Sequence, residues 1–156
     1  MEGDPQAAFY TVDVRGIGDS EPQTTNVGDR GEYSTDYFYA SHALMLDYPY
    51  VAQRTFDVLR VLDWLNGWGH GQIHLAATGH GALPATFASI LSDHVVSVTL
   101  KHALSSYSEI AEARDYNWPL SAFPPGVLNS FDLPDCYREL KRKNLKLLEP
   151  WGANPT

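Results

Sequence analysis

The sequence predicts a three-layer α/β domain on a mostly parallel, four-stranded sheet, and three observations predict it. Runs of β-branched and aromatic residues alternate with stretches of helical periodicity along the chain, the order that builds strand–helix–strand units. The longest helical stretch carries one apolar stripe, so it packs through a single face. In IHLAATGHGALPATFASIL (73–91) a strand-like run, a glycine turn and a small-residue helix follow one another without a linker.

Taken in order, AFYTVDV (8–14) is the first strand and stops at Gly16. The polar stretch 19–30 is a loop. YSTDYFYASHALML has helical character, with Ser34 or Thr35 as N-cap. The longest helix is expected over 50–68, where Val51, Thr55, Val58, Leu59, Leu62 and Leu65 form a stripe at three- and four-residue steps. Arg54, Asp57, Arg60 and Asp63 alternate in sign on another face. They read as a solvated ladder whose pairs are worth about 0.2–0.5 kcal/mol each. Asn66, Gly67 and Gly69 end the helix. QIHLAAT (72–78) is the second strand, and the helix after the turn holds Pro84 in its first turn, where the missing N–H costs nothing. The third strand spans 95–101. Ser106 or Ser108 caps a short helix at EIAEA, an aromatic- and proline-rich region follows, and NLKLLEP supplies a fourth strand at 145–149.

At 156 residues, 44% hydrophobic and 12% aromatic, the chain has the composition of one globular domain, 1–156. A net charge of −8 and a pI near 5.0 repel phosphate backbones, and the one basic cluster, RELKRKNLK, reads as a solvated helix face, so no nucleic-acid partner is expected. No apolar run approaches the roughly 20 residues that span a bilayer, so no membrane partner is expected either. MEGDPQAAFY has neither a basic n-region nor an apolar h-region, which makes a cytoplasmic location the expectation. Cys136 is the only cysteine, which excludes an intrachain disulfide or cysteine zinc site; beside Asp135 it reads as a structural thiol. Gly71 breaks any helix that would join His70 to His74, so neither a metal nor a cofactor is expected.

Two motifs carry the chemistry. DVRGIGDSEP ends a strand in a glycine turn that Arg15 and Asp13 can lock as a charged pair. It lacks the third glycine and immediate helix of a dinucleotide site. Ala77-Thr78-Gly79-His80-Gly81 has the outline of a nucleophile turn, G-x-S-x-G, with Gly79 where the serine would stand.

The order of these motifs resembles the α/β-hydrolase fold, and among its branches the acetyl xylan esterases, dienelactone hydrolases and prolyl oligopeptidase-like proteins. VDVRGIGDS, DYFYASHALML, RTFDVLRVLDWL, ATGHGALPATFASIL and FPPGVLNSFDLPDCYREL carry the likeness, which covers about 9–151. It implies a partial, truncated hydrolase fold of carboxylic ester hydrolase ancestry, with a small carboxylic ester as ligand. Gly79 takes the nucleophile's position and His80 supplies an oxyanion N–H. Gly152 or Asn154 stands near where the family places its acid, and the family's base would fall on a later loop. In the family's full sheet another strand separates those matched by 8–14 and 73–78. The chain must then pair these two directly or leave open edges, and a homo-oligomer, a dimer first of all, is expected.

The residues able to stand in for a triad are His80, Ser106 and Asp132, with Ser105, Tyr107, Trp118 and Phe131 lining the pocket. The expected site puts the Thr78-Gly79-His80 turn at the carboxyl edge of the sheet and exposes His80 to a cleft walled by 105–107 and 118–131. Two functions follow: an esterase-type hydrolase, weak or non-standard, and a non-catalytic hydrolase remnant serving as a binding or assembly module.

Overall fold

The computed structural model describes residues 7–22 and 34–154. Three parallel strands, β1 (Ile73–Thr78), β2 (Val95–Lys101) and β3 (Lys146–Leu148), lie in the order β1-β2-β3. The helices are α1 (Thr35–Met45), α2 (Tyr50–Gly67), α3 (Ala82–Leu91), α4 (Tyr107–Glu112) and α5 (Leu133–Leu140). The α/β class and the parallel pairing match the sequence expectation; the strand count does not.

The missing strand is 8–14, which is non-helical and makes no ladder with the sheet. Its β-prone composition cannot form a strand without a neighbour at hydrogen-bonding distance. The predicted third layer is also absent among the described residues. Leu75, Ala77, Val98, Leu100 and Leu147 share one face by register and are at least partly buried. On the other face His74, Ala76, Thr78, Lys101, Lys146 and Leu148 are exposed, and His74 Nδ1 meets Ser97 Oγ at 2.6 Å. That face is exposed to solvent, with no covering helix among the described residues.

α3 is the central helix. Its small residues Ala82, Ala85, Thr86, Ala88 and Ser89 are buried, which lets it lie close on β1 and β2 while α2 and α5 flank it. Lys143 donates to the carbonyls of Ser89 (2.7 Å) and Ser92 (2.5 Å), closing the last turn of α3. The basic cluster read as solvated therefore holds one helix-capping cation.

α2 is the longest helix, as expected, and buries Val51, Thr55, Val58, Leu62 and Leu65. Its charged face departs from the expected ladder. Only Arg60–Asp63 (3.1 Å) remains an exposed pair along the helix. Asp57 instead takes Arg15, whose Nε and Nη2 donate at 2.7 and 2.5 Å and whose backbone N–H adds a third bond at 3.1 Å. The predicted Arg15–Asp13 lock is therefore replaced, and Asp13 accepts from the Asp19 N–H at 3.0 Å. A carboxylate fixed on a helix offers a bidentate geometry that a loop neighbour does not.

Candidate functional site

The Gly79 turn lies at the carboxyl end of β1 and leads directly into α3. Gly79 has φ +55°, a conformation that an L-residue adopts under strain. A β-carbon placed there would meet only Trp151 Cζ3, at 3.7 Å. The turn therefore joins strand to helix through a left-handed residue and has room for a side chain there, but Gly79 has no group to attack with.

Ser106 and Asp132 are brought together, and every bond they make is structural. Ser106 Oγ donates to Asp132 Oδ2 at 2.5 Å and accepts from the Glu109 N–H at 3.3 Å, capping α4. Asp132 also receives the N–H groups of Tyr107 (2.7 Å), Ser108 (3.2 Å) and Leu133 (2.6 Å), so one carboxylate caps both α4 and α5. These bonds outweigh its desolvation and lower its pKa to about 2. Asp135 completes a capping box by accepting from the Asp132 N–H at 3.1 Å. A carboxylate engaged four times has no lone pair left to orient an imidazole.

His80 sits elsewhere. Its ring tilts against Trp118 at 5.3 Å, and no hydrogen bond links it to Ser106 or Asp132. Burial lowers its pKa, Asp36 opposes that shift and Arg54 adds to it. His80 lines a small cleft, with room for about one water-sized group, together with Val51, Arg54, Leu83, Pro84, Pro119, Ser121 and Ala122. Only the 119–122 part of the expected 118–131 wall belongs to it; α2 and the start of α3 form the other side.

The remaining predicted lining residues are tied down outside the cleft. Ser105 Oγ bonds the Trp151 carbonyl (2.7 Å) and Glu109 (3.1 Å). The Tyr107 hydroxyl donates to the Ala122 carbonyl at 3.0 Å. Trp118 Nε1 donates to the Gly152 carbonyl at 2.8 Å, and Phe131 packs on Phe87.

Arg54, expected on the solvated face, is instead the buried cation of this cleft. It is 6% exposed. Nε donates to the Arg15 carbonyl (3.1 Å), Nη1 to Ser121 Oγ (3.1 Å) and Nη2 to Asp36 (2.8 Å), with the guanidinium over the Tyr50 ring. Each terminal nitrogen keeps one N–H unused. Its only sequence signal is a charge three residues from Val51 on a stripe otherwise apolar.

A second missed cluster sits at the same end of the sheet. His102 and Glu149 follow β2 and β3 in left-handed conformations, φ +55° and +47°, and their side chains meet at 2.9 Å. Glu149, not Gly152 or Asn154, is thus the carboxylate at the end of β3. Lys101 reaches it too, at 3.2 Å, and the Lys101 and His102 bonds lower its pKa. A β-carbon on Gly152 would strike Glu109 Oε1. The His102 ring stacks on Trp151 at 4.4 Å, and that same indole borders Gly79, so it stands between the turn and the histidine.

Cys136 is buried, and burial followed by Asp135 raises its thiol to about 11, the inert state expected. Among the described residues no cluster of histidine, cysteine and carboxylates fits a metal ion, and no helix is long and apolar enough to cross a membrane. Comparison with family models, curated proteins and solved structures gave no match.

Proposed function

We propose that the chain is a non-hydrolysing member of the esterase-type α/β hydrolases that binds a small neutral acyl compound, such as a short carboxylic ester, beside its nucleophile-free turn. One observation carries this reading: the turn at Gly79 has no attacking group, while the adjoining cleft holds a buried arginine with unused donors. The cleft has room for about one oxygen-sized group, and a carbonyl oxygen placed there meets the Arg54 N–H groups and the Ser121 hydroxyl. The apolar side chains of Val51, Leu83, Pro84, Pro119 and Ala122 border it, a surface on which a short acyl chain can lie.

Charge selects a neutral ligand. At an effective dielectric of 20, a lone guanidinium attracts a carboxylate 4 Å away by about 4 kcal/mol, and Asp36 opposes that by a similar amount. Ester hydrolysis by His80, Ser106 and Asp132, the other reading, finds no support, because His80 makes no hydrogen bond to the Ser106–Asp132 pair.

Methyl acetate titrated into the protein is expected to shift the His80 and Trp118 proton resonances saturably, acetate far less, with Ser121→Ala weakening the effect. p-Nitrophenyl acetate is expected to show no turnover that depends on His80 or Ser106. Gly79→Ser places a hydroxyl without an adjacent base and is expected to stay inactive. A rate gain of several orders of magnitude in that variant, or an unshifted His80 with methyl acetate, contradicts the proposal.

A further inference from the structure

Residues 8–14 run along α2, from its carboxyl end towards its start, without pairing to β1. The Tyr10 hydroxyl lies 3.0 Å from His70 Nε2, just before β1 begins. Gly16 lies against Tyr50 and Arg54, at the start of α2. Among the described residues, no backbone group of 8–12 makes a backbone hydrogen bond. Among the described residues the outer edge of β1 is open as well. A single chain therefore presents two unladdered, β-prone stretches.

The two sheet edges differ in how they are guarded. β3 is three residues long, opens with Lys146 and is followed by Glu149, the short charged edge that discourages pairing. β1, IHLAAT, carries no Lys, Arg, Asp, Glu or Pro. Next to its start lies an aromatic cluster: Tyr10 and Trp64 meet edge to face, and Trp64 and Trp68 pack at 4.8 Å. Phe9, Tyr10, Trp64 and Trp68 remain 88%, 43%, 49% and 68% exposed. At about 150–250 Å² per ring, they leave roughly 400–600 Å² uncovered. Two copies meeting through them reach about the 1,000 Å² of a specific interface.

We infer that the occupant of this surface is a second copy of the chain. Residues 8–14 of each copy pair with the open edge of β1 in the other, related by a two-fold axis, with the aromatic clusters packed beside that edge. The chain is self-complementary here, since it supplies both the open edge and the strand that fills it. Only an extended peptide satisfies a row of strand N–H and C=O groups.

Size-exclusion chromatography with light scattering tests this on the intact chain. The expected mass is twice 17.3 kDa at micromolar concentrations. Val12→Lys and Ala76→Lys, each at an exposed position, are expected to halve that mass with an unchanged far-ultraviolet circular dichroism spectrum. Leu148→Lys, on the guarded edge, is expected to leave it unchanged. A 17.3 kDa mass for the unmodified chain at every concentration, or a dimer that survives both Val12→Lys and Ala76→Lys, overturns the inference.

Discussion

The Ser106–Asp132 junction and the His80–Arg54 cleft contain similar chemical groups and differ in what those groups have left to do. At the junction one carboxylate accepts from a hydroxyl and three backbone N–H groups. In the cleft, Arg54 is more deeply buried than Asp132, yet keeps two N–H groups, and Asp36 Oδ2 is buried without a partner. Saturated polar groups hold helices in place; unsaturated ones beside a cavity are available to a ligand. Residue type alone does not separate the two cases, because both contain the serine and carboxylate that a catalytic reading looks for.

Replacing Arg54 by Met should produce the largest stability effect. It strands Asp36 and removes bonds to Ser121 and the Arg15 carbonyl, and breaking a buried pair typically costs about 3–5 kcal/mol. Urea denaturation measures it; a loss below about 1 kcal/mol would mean that the ion pair is not buried as described. Asp132→Ala should cost less, about 2–3 kcal/mol, since two helix caps are lost and no opposite charge is left unpaired. The same denaturation series checks it, and esterase activity is not expected to respond.

The smallest effects are pH-dependent and have the same sign. The depressed pKa of Asp132, about 2 in the folded chain, contributes stability that is present above its ordinary value near 4 and is lost as pH falls towards 2. Discounted for solvent screening, this is about 1–2 kcal/mol. His80, whose folded pKa burial lowers, binds its proton more readily in the unfolded chain. Its contribution is complete above about 6.5 and falls away as pH drops towards the folded value. Denaturation midpoints measured between pH 7 and 5 should decline in the wild type, and His80→Gln should flatten the decline. A midpoint that rises over that range would reverse the assignment of His80 as a buried, neutral imidazole.

The sequence by itself determined the local elements. The stripe on α2, the Ser34 and Ser106 caps, Pro84 in the first turn of α3 and the 73–78, 95–101 and 146–148 strands follow from periodicity and backbone chemistry, which act over a few residues. The vacancy at Gly79 was equally legible, because a glycine has no side chain in any fold. Tertiary structure decided the rest. Whether 8–14 becomes a strand depends on a neighbour outside its own sequence. Whether Arg54 is solvated or buried depends on Asp36 and Ser121, which are 18 and 67 residues away along the chain. His102 and Glu149, 47 residues apart, meet because β2 and β3 pair in register. Periodicity shows which face of a helix is apolar, but charge placement and side-chain pairing across distant segments are set only when those segments pack.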